Sequence, residues 1–156
     1  MSEINIHASC VAIGPRGVLL LGPSGSGKSD LALRLIDSGA KLVADDRTIL
    51  FAAKGALHAR PPASIEGLIE IRGLGIVELP VRAKVKSVKI ALVVRLGRED
   101  ARLPRHRRYR APASLKLITA PPQIALNARF ASTPAKIRAA LAAFSQGLFR
   151  DTFHLN

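Results

Sequence analysis

The run Gly22-Pro23-Ser24-Gly25-Ser26-Gly27-Lys28-Ser29 satisfies the pattern G-x-x-x-x-G-K-[ST] at every position. By residue frequencies such a match arises by chance in roughly one chain in two hundred of this length, so context has to decide its meaning. The apolar run Val18–Leu21 precedes it and a helical pattern opens near Lys28, which is the strand–loop–helix order its mechanism needs. Gly22, Gly25 and Gly27 let the backbone curl until successive N–H groups point at phosphate oxygens. The helix N-terminus adds unpaired donors and partial positive charge. In such a loop Lys28 neutralises the β- and γ-phosphates of a nucleoside triphosphate and the Ser29 hydroxyl ligates Mg²⁺. The plain alternative is a glycine-rich turn that caps a helix.

Phosphoryl transfer to a hydroxyl needs a second metal anchor and a base. Asp45-Asp46 close the strand Lys41–Ala44, where a carboxylate can face the metal or the acceptor. Two adjacent acids on an extended chain point to opposite sides, so one of them faces a given target; repulsion between them, or desolvation beside a nucleotide, raises a carboxyl pKa towards a useful range. A turn-forming Asp pair is the competing reading. The segment Ile69-Glu70-Ile71-Arg72-Gly73-Leu74-Gly75-Ile76 puts a carboxylate and a guanidinium on opposite faces of a strand, followed by two glycines where backbone bends or approaches something closely. A β-bulge with surface charges fits it equally well. His7 lies just before the first strand, where an isolated histidine is more often incidental than catalytic.

The elements that must position these groups follow from apolar patterning. Cys10–Ile13 and Val18–Leu21 flank Gly14-Pro15-Arg16-Gly17, and Thr48–Ala52 and Ala56–Ala59 flank Lys54-Gly55, each a hairpin signal. Leu31, Ala32, Leu35 and Ile36 fall at helical spacing with Gly39 as a stop. Ile69–Ile71 and Ile76–Leu79 are short strands, Val88–Leu96 is the longest, and Pro134–Phe144 is a helix after the capping residues Ser132 and Thr133. Many hairpins and few helices predict a mixed, hairpin-rich α/β domain, taken as one domain over residues 1–156. Hydrophobic residues make up 48% and charged residues 22%, which excludes wholesale disorder. The single cysteine, Cys10, is expected to be a core residue rather than a nucleophile. No apolar run long enough for a membrane span and no signal peptide is visible, so a cytoplasmic location without membrane attachment is expected.

The charge is unusual: 24 Lys and Arg stand against 11 Asp and Glu, a net +13 that favours anionic partners. The dense cluster is Arg102, Arg105, Arg107, Arg108 and Arg110, with His106 and Tyr109 among them and Pro104 and Pro112 at its flanks. A solvated loop is the first expectation and docking of an acidic or phosphorylated protein the second. Nucleic acid is third, because one tyrosine makes a poor stacking platform. His58, His106 and His154 carry no pattern.

Taken together, HASCVAIGPRGVLLLGPSGSGKSDLAL, then LVADD, then IEIRGLGIVELP resemble the C-terminal kinase domain of HPr kinase/phosphorylase, with three motifs in order from about His7 to Leu79. The resemblance implies a P-loop-containing kinase fold like that of phosphoenolpyruvate carboxykinase. It implies ATP and Mg²⁺ as ligands, and phosphorylation of a serine on an HPr-like phosphocarrier protein, reversible by phosphorolysis. It implies Gly22 to Ser29 on the nucleotide, with Lys28 on its phosphates and Ser29 on the metal. Asp46 matches the acid that takes the seryl proton, Asp45 is its neighbour in the motif, Glu70 matches the second metal ligand, and His7 matches an active-site histidine. It also implies a homo-oligomer, a hexamer in the family. The chain departs from the family in three ways. It resembles a short form lacking the N-terminal domain. Its C-terminal helix looks shortened. The family's PVRPGRN-like segment is replaced by LKLITAPPQIALNARFA, in which Arg129 is the sole arginine. Two rival readings remain open: a nucleotide-sensing module with no turnover, and a nucleic-acid-dependent NTPase.

Overall fold

The computed structural model describes residues 2–99 and 101–150. His154 lies outside them. Among the described residues eleven strands and two helices follow one another, with three short 3₁₀ turns between them: β1 (Glu3–His7), β2 (Ser9–Ile13), β3 (Arg16–Leu21), α1 (Lys28–Asp37), β4 (Lys41–Ala44), β5 (Arg47–Ala53), β6 (Ala56–Arg60), β7 (Leu68–Ile71), β8 (Gly75–Glu78), β9 (Val88–Leu96), β10 (Arg107–Arg108), β11 (Pro122–Leu126) and α2 (Thr133–Gln146). The expectation of a mixed, hairpin-rich α/β fold with few helices is met. His7, expected to precede the first strand, instead closes β1, which pairs antiparallel with β5.

Nine strands form one sheet in the order β1-β5-β6-β9-β3-β2-β4, with β11 added to β9 and β10 to β11; β7 and β8 form a separate hairpin. Its centre is parallel: β9 pairs with β3 on one side and with β11 on the other. Such strands are buried on both faces and read as continuous apolar runs, as the stretch 90–94 of β9 does between the exposed Lys89 and Arg95. Along β3, Val18 and Leu20 face the core shared with Leu31 and Leu35 of α1 and Ile137 and Leu141 of α2. Leu19 and Leu21 face a second core with Cys10, Val43, Leu50 and Leu57. In β9 the alternation changes phase. Val88 and Ile90 join the second core, while Leu92, Val94 and Leu96 join the helix side. The register against β3 slips between Gly17 and Val18, so that Ile90 pairs with Gly17 and Leu92 with Val18. Ala91 is the extra residue of this β-bulge, and it sets the face on which every later side chain of β9 lies.

Gly17 carries no side chain because a Cβ there would come within 2.6 Å of Val88 and 2.8 Å of the Lys89 carbonyl. Helix α1 forms because its apolar stripe meets this sheet: Leu31, Ala32 and Leu35 are fully buried. Each leucine contributes about 1.5–3 kcal/mol from burial, before the entropy of ordering it.

Candidate active site

The topology brings the chemically interesting residues to one edge of the sheet. β3, β9 and β11 run parallel, so their C-terminal ends deliver Leu21-Gly22, Leu96-Gly97 and Leu126-Asn127 side by side. Ligands of α/β sheets bind at this edge. β2 is antiparallel to β3, which sets its first residue, Ser9, opposite Leu20. β4 is antiparallel to β2, with Ala44 opposite Cys10, so Asp45 emerges beside Ser9.

Between β3 and α1 the chain turns through Gly22, Pro23, Ser24, Gly25, Ser26 and Gly27. Gly25 and Gly27 have φ of 82° and 94°, which only glycine adopts freely. Gly27 caps the helix, its carbonyl accepting from Leu31 N at 2.9 Å. Lys28 is 6% exposed and its Nζ donates to the carbonyls of Gly22 and Pro23, at 2.7 and 3.0 Å. Burial pulls the Lys28 ammonium below its usual pKa, and the charges of Asp46 and Asp45 oppose that pull. Both acids therefore act on the lysine of the loop. The Ser26 hydroxyl is buried with no hydrogen-bond partner among the described residues. Buried polar groups are almost always satisfied, so the loop retains a donor for a ligand or a water.

Asp45 is 5% exposed, and its carboxylate accepts from Ser29 Oγ at 2.7 Å, Ser9 Oγ at 2.9 Å and the backbone N–H of Glu70 at 3.0 Å. Three donors compensate the cost of burying the charge. Asp46 turns away, though not by the alternation of an extended strand. β4 stops at Ala44, and Asp46 takes the left-handed conformation with φ 69°, tolerated by Asp better than by most residues. The turn is fixed by Ala8 N donating to Asp46 O at 3.0 Å and Asp46 N donating to Ser9 Oγ at 3.1 Å. The Asp46 side chain is left 65% exposed, with Oδ1 2.7 Å from His7 Nε2. Asp46 makes the turn of the competing reading, while its carboxylate meets His7 and that of Asp45 meets Ser29.

His7, Ser29, Asp45 and Asp46 thus converge with Lys28 on one loop. Glu70 reaches Asp45 through its backbone, and its own side chain is exposed. Among the described residues no three His, Cys, Asp or Glu side chains gather closely enough to hold a metal by themselves. A hydroxyl beside one buried carboxylate is nonetheless a donor set that fits Mg²⁺, which commonly takes one or two carboxylates and completes its shell with phosphate oxygens and water.

Two clefts flank the loop. One, of about 540 Å³, lies between Gly22-Pro23, His7, Arg95, Tyr109 and Arg110. The other, of about 460 Å³, lies between Pro23–Ser26, Gly97 and Asn127–Arg129. Arg34 of α1 holds the second wall by donating to the carbonyls of Ala128 and Phe130. The arginine cluster expected as one exposed loop is split by the fold. Arg107 and Arg108 form β10 against Gln123 and Pro122, His106 is buried against Phe144 and Phe149, and Arg110 lines the first cleft. Ser9, Arg95 and Asn127 were not singled out by sequence reasoning, and Tyr109 only as a member of the arginine cluster. Ser9 carried a faint signal, as the polar residue at the mouth of an apolar strand.

A glycine-rich phosphate loop between a parallel-paired strand and a helix, with an acid from a neighbouring strand on its serine, defines a P-loop-containing α/β domain. The chain belongs to the HPr serine kinase C-terminal domain family, whose model matches residues 1–116. It is 40% identical over 86 residues to HPr kinase/phosphorylase of Clostridium acetobutylicum, covering 55% of this chain and 28% of that protein. Identity is 43% over 103 residues to that of a Thermoanaerobacter species, covering 63% and 34%. It is 38% over 117 residues to that of Aromatoleum aromaticum, covering 67% and 37%. The chain thus spans about a third of the length of these relatives. The structure is similar to the HPr(Ser) kinase/phosphatase from Coxiella burnetii, with a TM-score of 0.76 at 26% identity over 93% of this chain and 92% of that one. No helix among the described residues is long and apolar enough to cross a membrane.

Proposed function

We propose that the chain transfers the γ-phosphoryl group of ATP, in the presence of Mg²⁺, to a seryl hydroxyl of an HPr-like phosphocarrier protein. The observation that carries this reading is the exposed Asp46–His7 pair, 2.7 Å apart, at the same sheet edge as a loop whose serine is bonded to a buried Asp45. The names of the relatives support the class of acceptor.

On this reading the loop from Gly22 to Ser29 receives the phosphates, and Lys28 exchanges the carbonyls of Gly22 and Pro23 for phosphate oxygens. Ser29 and Asp45 would hold the metal, with Glu70, whose backbone N–H meets Asp45, as the second carboxylate. Bound Mg²⁺ supplies neutralisation of the charge on the β- and γ-phosphates. Asp46 accepts the proton of the seryl hydroxyl as its oxygen bonds to the γ-phosphorus. The bond from that phosphorus to the β–γ bridging oxygen breaks, and ADP leaves with the electron pair. His7 donates through Nε2 to the Asp46 carboxylate and keeps it turned towards the acceptor. Catalysis is then positioning and charge neutralisation, with little covalent work for the protein. A cytoplasmic setting and a homo-oligomer belong to the same proposal, the latter checked by light scattering.

Incubation with γ-labelled ATP, Mg²⁺ and an HPr-like protein is the test. The expected result is acid-stable label on a serine of the acceptor. Nucleotide binding without any transfer would replace this reading with a nucleotide sensor. ATP hydrolysis that rises with RNA or DNA would replace it with a nucleic-acid-dependent NTPase.

A further inference from the structure

We propose that the open edge of β1 is an interface between two copies of this chain. The two β1 strands pair antiparallel about a two-fold axis at Asn5, so that Glu3 of each copy faces His7 of the other. The proposal goes beyond the function given above and does not depend on it.

The main sheet ends in β4 on one side and β1 on the other. The β4 end is covered: Leu42 bridges Lys84 and its carbonyl accepts from Val85 N at 2.9 Å. At the β1 end, β5 is the one strand partner, and among the described residues nothing bonds to the other side of the β1 backbone. Sheet edges are usually protected by lysine, proline, a bulge or shortness. Glu3–His7 has five residues in unbroken register, with neither lysine nor proline.

The residue after β1 fixes where its backbone groups point. Ala8 continues the register opposite Asp46, its N–H donating to Asp46 O at 3.0 Å and its carbonyl accepting from Thr48 Oγ1 at 2.8 Å. In an antiparallel ladder alternate residues bond to the same neighbour. Ile6 and Ile4 therefore bond to β5, and the N–H and C=O of Glu3, Asn5 and His7 point to the open side. Arg47 agrees: it lies opposite His7, yet gives its N–H to the Asp45 carbonyl at 2.8 Å.

A second copy of the same strand satisfies all these groups in one register. With Asn5 opposite the partner's Asn5, Glu3 and His7 meet the partner's His7 and Glu3, and three pairs of two bonds give about six. Ile4 and Ile6 then meet the partner's Ile6 and Ile4 on the face that already packs against the Leu50 core. A slip by two residues would leave outward groups unpaired and take the carboxylate away from the imidazole. Arg60 donates to Glu3 Oε2, and Oε1 has no hydrogen-bond partner among the described residues. The partner's Glu3 thus sets a carboxylate opposite the ring that bonds Asp46, and each copy completes the surroundings of the other's His7. Five residues a side is a small interface, so the dimer is weak and concentration-dependent.

The experiment is sedimentation velocity on the full chain without nucleotide, from about 1 µM to about 1 mM. A monomer that becomes a dimer as concentration rises is the expected result. Asn5→Pro removes an N–H that points outward, where an edge strand tolerates proline, and should weaken dimerisation about tenfold or more. Glu3→Gln should weaken it about threefold or more, since each dimer holds two Glu3–His7 pairs. Under mild oxidation Asn5→Cys should yield a disulfide-linked dimer, because facing residues of a bonded pair lie about 5.5 Å apart. Glu3→Cys should not, its symmetry mate being about 13 Å away along the strand. Cys10 is buried and takes no part. A monomer at every concentration, an assembly indifferent to Asn5→Pro or Glu3→Gln, or crosslinking through Glu3→Cys rather than Asn5→Cys would overturn the proposal.

Discussion

On the loop side of the site, Asp45 is 5% exposed and accepts three hydrogen bonds between 2.7 and 3.0 Å. One residue further, on the His7 side, the Asp46 side chain is 65% exposed and its carboxylate meets a single imidazole. On the function proposed above, the two regions divide the requirements of phosphoryl transfer. Groups that hold a nucleotide and a metal gain from being fixed in advance, because charge stabilisation then costs no reorganisation. A group that takes a proton from a macromolecular acceptor must stay reachable from outside. The left-handed turn at Asp46 puts both kinds of environment on consecutive residues.

Rigidity on the loop side is the most vulnerable feature. Gly27→Ala puts a Cβ at φ 94°, 3.1 Å from the Ala128 Cβ, and should lower ATP affinity about a hundredfold, or ~2.7 kcal/mol, by calorimetry. An unchanged affinity would mean the loop is softer than described. Next in size is Ser9→Ala, which removes a donor to the buried Asp45 and the acceptor of the Asp46 N–H. It should cost about 1.5–3 kcal/mol in urea unfolding. His7→Ala, which breaks the exposed pair, should cost about 0–1 kcal/mol. Equal losses would erase the contrast between the two regions.

Smaller still is the titration of Tyr109, the one tyrosine of the chain. Its absorbance midpoint should lie above the ordinary value of 10.0, and R95Q should raise it further by removing the nearby positive charge. Because the folded state holds this proton more tightly than the unfolded one, the corresponding stability is complete below the ordinary tyrosine value. It declines as pH rises through that value towards the raised one. A midpoint that ignores R95Q would separate Arg95 from the cleft. The smallest effect concerns Cys10, whose thiol burial pushes far up. It should react with a thiol reagent only at the rate of unfolding, and fast labelling of the native chain would contradict its place in the core.

The loop side was legible in the sequence because local patterns specify it. Glycine spacing fixes the loop, an apolar strand and helical period fix its flanks, and β3, α1 and β4 lie within a residue or two of their expected bounds. The partners of Asp45 were less visible: Ser9 and the Glu70 backbone reach it through antiparallel pairing and chain packing, which leave no periodic trace. The stretch from Arg98 to Arg129 was opaque for a similar reason. β10 is two residues long and β11 begins at a proline, so neither carries a strand pattern; β11 exists because the edge of β9 is there to pair with, and β10 because β11 then offers it an edge. Arg95 pointed to no function, since the face it occupies depends on the bulge at Ala91.

The division of labour between the two carboxylates is tested most directly by Asp46→Asn, followed through both Mg·ATP affinity and the rate of label transfer to an HPr-like serine. The account predicts affinity within a few-fold of the parent and transfer slowed by about 10²–10⁴-fold, the range for loss of a general base. Affinity and transfer falling together would contradict it, and would make Asp46 part of the nucleotide site alongside Asp45.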